Sequence, residues 1–456
     1  MRKQKYFKLS PVKKGSFEFH GCYYIKEKEK ALLIDGKNGG TIVVDKTLLE
    51  EIESGEISDD LRYKLISRGF AKEQNSPSVV CIENCPPRPT FFLLDLTSKC
   101  NFCCEYCLRY ITGNEESITD LELENNLDKL VDYCRKYHIR GLDIQPWGGE
   151  PMLELEKIVR IRERFEQEGI PLNLTMETNG SLITPKAARI LKENKVRVGI
   201  SVDGHAALHN KYRHFMNGKD TFDSVKKGVE NLRKAGFESI GGIGVVTRST
   251  LENLDEVLDC LVYDLKFTGF KLTIMHSPSD EQACDYMLNE NEIEEFADRL
   301  FEKLCDYYRK GIRTAEASVS NRMANLIYRN DRNICVSNGC RGGRRMLSID
   351  KHGTIFLCEL MDFPEQAIGT VHEEKSIPEM VEEALKTKDY FTEKRIEKCD
   401  ECPWRYYCRG GCTAIVQYEK NHVEGVDPIS CAFNRAIYPR LANLILTDPK
   451  LAVKFI

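Results

Sequence analysis

The cysteines constrain this chain more than any other feature, because most of them are spaced rather than scattered. Of 19 cysteines in 456 residues, three stand on one short loop as Cys100-x3-Cys104-x2-Cys107, and eight lie between Cys335 and Cys431. The other eight (Cys22, Cys81, Cys85, Cys103, Cys134, Cys260, Cys284, Cys305) follow no ligand pattern. That density is too low for a disulfide-stapled small domain and too high for an enzyme that needs one nucleophile. The first 14 residues are basic but carry no apolar core of a secretion signal. The expected compartment is therefore cytoplasmic, where thiolate–metal chemistry is favoured over disulfides.

Charge and hydropathy exclude further classes. Lys and Arg number 66 against 71 Asp and Glu, a net charge of −5 with no basic block. That balance predicts no nucleic-acid partner. No apolar run approaches the roughly 18 residues that a membrane helix needs, so no membrane association is expected.

Periodicity divides the chain. Residues 1–88 open with short alternating strands at Cys22–Lys26, Lys30–Ile34 and Gly40–Val44, then two helical stretches, and end at the Pro-rich Cys85–Pro89. Residues 89–310 repeat strand then helix six times, with strands at Phe91–Thr97, Gly141–Trp147, Leu172–Thr178, Arg197–Asp203, Ser239–Thr247 and Phe270–His276. Apolar strands each followed by a helix predict an α/β architecture, a partial (β/α)6 barrel of the TIM type, with its chemistry at the C-terminal ends of the strands. Residues 311–334 read as a bridging segment. Residues 335–456 have weak periodicity and dense Gly and Cys, as expected where metal rather than an apolar core holds the backbone.

Cys100, Cys104 and Cys107 follow directly on the first of these strands. Three thiolates on one loop suit a cubane iron–sulfur cluster with one iron left open to a ligand. A zinc site completed by a distant His, or a purely structural cluster, is the alternative. Cys103 fills a spacer position and leaves the ligand spacing intact.

This loop, with Tyr106 before its last Cys, resembles the signature of the radical S-adenosylmethionine (SAM) superfamily. Gly148-Gly149-Glu150-Pro151, at the end of the next strand, resembles that family's SAM amino-group motif, and paired glycines suit close backbone approach. Glu177-Thr178-Asn179-Gly180 and Ser201-Val202-Asp203-Gly204 resemble its polar contacts to the SAM ribose and carboxylate, and Val245 its contact to adenine. Asn-Gly and Asp-Gly also simply make βα turns, and Val245 also suits a buried strand. The resemblance implies a [4Fe–4S] cluster on Cys100, Cys104 and Cys107. It implies SAM bound by Tyr106, Gly148, Gly149, Glu150, Asn179, Ser201 and Val245, and an oxidoreductase that abstracts hydrogen with a 5′-deoxyadenosyl radical.

The later cysteines read Cys340-x12-Gly353-x4-Cys358, Cys399-x2-Cys402-x5-Cys408-x3-Cys412 and finally Cys431, an order that resembles the SPASM domain. Cys335 supplies an eighth thiolate. By that resemblance Cys335, Cys340, Cys358 and Cys412 bind one auxiliary [4Fe–4S] cluster and Cys399, Cys402, Cys408 and Cys431 a second, three clusters in all. A zinc site at residues 399–412 would leave four of these thiolates unexplained. Glu359 follows Cys358 where sulfatase-maturing relatives carry an Asp thought to take the substrate proton.

The N-terminal unit is similar to the winged-helix-like recognition element of peptide-modifying enzymes, which binds a leader peptide by strand addition. The expected partners are thus a precursor peptide with a leader and an electron donor of flavodoxin or ferredoxin type. The expected product is a Cys thioether of the sactipeptide or ranthipeptide kind. A carbon–carbon or other cross-link, or formylglycine in a sulfatase, is the second reading, and an iron–sulfur electron carrier or sensor the third. The SAM motif argues against the third, since an electron carrier has no use for it.

Overall fold

Apolar residues at every second position of the early segments build sheets, as their alternation requires. The computed structural model describes residues 5–73, 87–107, 116–276, 286–329, 335, 340–387, 399–420 and 425–456. Cys81, Cys85 and Cys284 lie outside the described residues, as do parts of the Pro-rich boundary and of the bridging segment. The chain forms two units, one of Met1–Cys85, Asn289–Cys340 and Thr392–Ile456, the other of Pro86–Leu288 and Arg341–Phe391.

In the first unit, β1 (Phe7–Leu9), β4 (Cys22–Glu27), β5 (Lys30–Ile34) and β6 (Thr41–Asp45) form an antiparallel sheet in that order. β2 (Val12–Lys14), β3 (Phe17–Phe19) and β7 (Ala71–Glu73) form a second. Two helices, α1 (Lys46–Ser54) and α2 (Asp59–Ser67), separate β6 from β7. Asp45 caps α1 by accepting the Leu48 N–H, and Gly55 ends it with φ of 76°, the left-handed conformation that glycine adopts without penalty. Phe17, Phe19, Leu33, Leu49, Leu61, Leu65 and Phe70 share one apolar core.

Helices complete this unit. Pro428–Thr447 is a 20-residue helix that buries Ile429, Phe433, Ile437, Leu441 and Leu444, so an apolar core as well as cysteine loops holds the C-terminal region. The sequence expectation of a metal-held backbone is corrected here. A helix buried nearly all round carries no clear apolar stripe, and periodicity does not reveal it.

The second unit contains β8 (Phe91–Thr97), β9 (Phe102–Cys104), β10 (Leu142–Gly148), β11 (Leu172–Thr178), β12 (Val196–Ser201), β13 (Arg213–Phe215), β14 (Gly241–Val246), β15 (Gly269–Ile274), β16 (Met346–Ile349), β17 (Thr354–Phe356) and β18 (Gly369–Thr370). Its main sheet runs β15-β14-β12-β11-β10-β8-β16-β17-β18, and its first seven strands are parallel neighbours. From β8 through β15 each new strand adds to the same edge, the winding of a partial TIM barrel. The other edge of β8 takes β16, so residues 341–391 extend the barrel sheet.

Helices α3 (Asp120–Tyr137), α4 (Leu155–Gln167), α5 (Pro185–Glu193), α6 (Ala206–Tyr212) and α7 (Phe222–Lys234) intervene between strands. Leu174, Met176, Val196, Val198 and Ile200 are buried, whereas the alternate positions of β11 and β12 keep access to solvent. No helix among the described residues is long and apolar enough to cross a membrane.

Candidate active site

The cysteine loop is held from both sides. Its middle, β9, pairs antiparallel with β13, setting Cys104 opposite Arg213 and Cys103 opposite His214. Behind it, Gly149 N–H donates to Thr97 O at 2.7 Å and Glu150 N–H to Lys99 O at 2.8 Å, so the Gly-Gly-Glu turn sits directly on the start of the loop. Only glycine fits there. A Cβ at Gly148, whose φ is 137°, would lie 2.1 Å from Thr97 O, and one at Gly149 2.2 Å from Lys99 O.

Burial pushes the Cys100 thiol up to about 12, with the charges of Glu150, Cys104 and Cys107 adding to it. Burial likewise raises Cys104 to about 11, against the pull of Arg213. Three thiols within electrostatic reach of one another on one loop fit a cluster that would take them as thiolates and release their protons. No three His, Cys, Asp or Glu side chains among the described residues close around a single ion.

Glu150 is 2% exposed, and its carboxylate accepts the Met152 N–H at 3.0 Å, the Thr178 hydroxyl at 2.5 Å and the Asn179 N–H at 2.8 Å. The carboxylate thus ties the end of β10 to the end of β11. Asn179 Nδ2 donates to Asn101 Oδ1 at 2.8 Å, so the β11 turn is tied in turn to the cysteine loop.

Asp203 organises the opposite wall. Its carboxylate accepts Arg213 Nε at 2.8 Å, Arg213 NH2 at 3.1 Å, the Val245 N–H at 2.9 Å and the Tyr106 hydroxyl. Burial pushes this carboxyl up, but the guanidinium outweighs it and holds it below the usual carboxylate range. The Arg213 guanidinium also lies 5.3 Å from the centre of the Tyr106 ring. Tyr106 and Val245 are thereby joined, while Ser201 stands partly exposed at the end of β12. Arg213 and Asn101 were missed by the sequence reading. No local pattern marks either, since both act through partners distant in sequence.

The family profile described as the radical SAM superfamily matches residues 94–261, the span that carries this loop and both walls. The chain belongs to the radical SAM superfamily. Members use a [4Fe–4S] cluster and SAM, and this protein is accordingly an enzyme. It is 25% identical over 325 residues to a cysteine-type anaerobic sulfatase-maturating enzyme of Clostridium novyi (strain NT), covering 69% of this chain and 85% of that one. The solved structure of anSMEcpe with bound AdoMet and Cp18Cys peptide superposes with a TM-score of 0.70 at 21% identity, over 80% of this chain and 100% of that one. Streptococcus suis SuiB, bound to precursor peptide SuiA, gives 0.57 at 16% identity over 92% and 99%.

Several of the later cysteines of this radical SAM enzyme lie within electrostatic reach of one another. In the first unit, burial raises Cys412, and the charges of Cys340 and Cys335 add to it. In the same unit burial raises Cys408 to about 12, with Cys431 and Cys402 contributing, and the Cys402 N–H donates to Cys399 O at 3.1 Å. Cys358 lies in the second unit, its sulfur accepting the Leu360 N–H at 3.3 Å. Glu359, the next residue, is within electrostatic reach of Glu177 on β11.

Proposed function

We propose that this radical SAM enzyme is a peptide maturase that installs a Cys thioether cross-link in a ribosomally made precursor. The N-terminal module carries this reading. Two sheets and two helices precede the barrel, and the chain aligns over 92% of its length with SuiB against 80% with anSMEcpe. In this reading residues 1–88 form the winged-helix-like recognition element and 335–456 the SPASM region, with 89–310 as the barrel and 311–334 as the bridge. A leader strand would add to an exposed sheet edge of β1, β2, β6 or β7.

Cys100, Cys104 and Cys107 would hold the cluster, which with SAM would supply radical hydrogen abstraction from the substrate. The chain's own residues orient the cofactor: Tyr106, Gly148, Gly149, Glu150, Asn179, Ser201 and Val245 line its site, and Glu150 also joins the ends of β10 and β11. Arg213 holds the Asp203 carboxylate to which Tyr106 and Val245 are tied, and Glu359 is the base that accepts the substrate proton. Cys335, Cys340, Cys358 and Cys412, and Cys399, Cys402, Cys408 and Cys431, hold two auxiliary clusters, and a flavodoxin- or ferredoxin-type protein supplies electrons in a cytoplasmic setting.

The sulfatase-maturating relatives favour a second reading, oxidation of a sulfatase Cys to formylglycine. Co-expression with a neighbouring Cys-rich peptide separates the two. A thioether removes two hydrogens per bridge and leaves cysteines that resist alkylation after reduction, whereas formylglycine removes the sulfur and creates an aldehyde that captures hydrazides. If the two hydrogens are lost while every cysteine stays alkylatable, a carbon–carbon or carbon–oxygen cross-link replaces the thioether.

A further inference from the structure

The accessible face of β11, β12 and β14 leaves room at one level. In the sheet register Glu177 is paired with Gly199, Gly199 with Gly241, and Gly241 with Gly269, so one row across four strands carries a single side chain, that of Glu177. A Cβ at Gly241 would meet nothing nearer than 3.8 Å, and one at Gly199 would meet Ile243 Cδ1 at 3.3 Å and Glu177 Cγ at 3.7 Å. Glu177 stands near the C-terminal end of β11, next to the Thr178–Asn179 turn, and the glycine row runs from it to the first residues of β14 and β15, where the space at Gly241 is open. Ile243 forms the apolar wall.

The groups that act on Glu177 come from three other elements. Gln145 of β10 hydrogen-bonds its carboxylate, and Lys271 of β15 and Glu359 lie within electrostatic reach. Lys271 is itself exposed. Arg197 sits opposite Thr175, one layer nearer the N-terminal ends. Two carboxylates and one ammonium thus act at the level of Glu177, with the Arg197 guanidinium one layer below.

We infer that Glu177, with Gln145 and Lys271, forms a specificity subsite for a basic side chain of the peptide substrate close to the residue that is oxidised. The inference rests on the peptide-maturase reading and adds its substrate class. A Lys or Arg side chain has the length to lay its methylenes along Ile243 and the glycine floor while its charge meets Glu177. An acidic side chain would face two carboxylates at once.

The test uses the reconstituted holoenzyme with SAM and fluorescent synthetic peptides bearing a central cysteine flanked by Lys, Gln or Glu, with affinities read by anisotropy. The wild type should bind the Lys peptide about tenfold more tightly than the Glu peptide, a difference of about 1.4 kcal/mol. Glu177→Gln should bring the ratio close to one. Lys271→Glu should widen it, an opposite shift that misfolding does not produce. No preference in the wild type, an unchanged ratio in Glu177→Gln, or shifts of the same sign in both variants would overturn the inference. Basic preference without modification of any peptide, including a co-expressed one, would instead count against the maturase reading and leave the subsite standing. Modification without basic preference would do the reverse.

Discussion

Arg213 grips Asp203 through two hydrogen bonds, Nε to Oδ2 at 2.8 Å and NH2 to Oδ1 at 3.1 Å, with the side chains 9% and 2% exposed. Removing one partner of a buried pair strands the other charge, at a cost of about 3–5 kcal/mol. Asp203→Asn should accordingly lower stability by about 3 kcal/mol in chemical denaturation and weaken SAM binding, because Tyr106 and Val245 bond different oxygens and an amide keeps only one of them. A variant with wild-type stability and SAM affinity would show that the pair is not what joins the cysteine loop to β12 and β14.

His209 gives a pH dependence in the same neighbourhood. Its Nδ1 accepts the Asp203 N–H at 3.4 Å, and its Nε2 lies 3.1 Å from the Thr221 hydroxyl, which itself donates to Arg213 O. That arrangement requires the neutral ring with the proton on Nε2. Burial, then Arg213, pulls the ring down to about 3. Between about pH 6.5 and pH 3 the unfolded chain therefore binds one more proton than the folded one. Stability should fall as pH is lowered through that window, by up to about 1.4 kcal/mol per unit, and His209→Gln should flatten this slope. Equal slopes in anaerobic melts of the two proteins would refute the assignment.

What was legible in the sequence was what local pattern encodes. The β8 to β15 strands, the cysteine loop and the Gly-Gly-Glu turn follow from alternation, spacing and positive-φ glycines. Arg213 was not legible, because its role depends on β13 pairing with β9 across about a hundred residues. The three donors around the Glu150 carboxylate were not legible either, because spacing shows where a side chain is and not which groups surround it. The helix at Pro428–Thr447 was hidden by being apolar on nearly every side.

Glu150→Gln separates the structural role of that carboxylate from a contact with SAM. Three donors converge on it, and an amide would set an NH2 group against at least one of them, leaving a buried donor unsatisfied at a cost of about 1–3 kcal/mol. SAM affinity should fall together with stability. A loss of SAM affinity at unchanged stability would instead point to a direct contact with the SAM ammonium.

Metal content tests the thiolate sets. Eleven ligands on three cubanes predict about twelve iron per chain after anaerobic reconstitution, and replacing Cys100, Cys104 and Cys107 by Ala should lower this to about eight. The triple variant should release no 5′-deoxyadenosine with dithionite and SAM. Zinc retained with little iron would refute the assignment.

The N-terminal module is seated on the Cys399–Cys412 segment, which makes its deletion an ambiguous test and a point substitution a better one. Gly40 N–H donates to the Tyr407 hydroxyl at 2.8 Å, the Tyr406 N–H donates to Gly36 O at 3.0 Å, and Gly36 lies against the backbone of Cys402 and Pro403. Tyr407 is fully buried, so Tyr407→Phe leaves the Gly40 N–H without an acceptor and should cost about 1–3 kcal/mol. Gly39→Ala should cost more, since its φ is 71° and a Cβ there would lie 2.2 Å from the Tyr406 ring. Limited proteolysis should then release the N-terminal module sooner in both variants than in the wild type, with Gly39→Ala the faster. Iron bound by the Cys100 loop should be unchanged, because that loop belongs to the other unit. Wild-type protease resistance in Gly39→Ala would show that the turn at Asp35–Gly40 does not fasten the module.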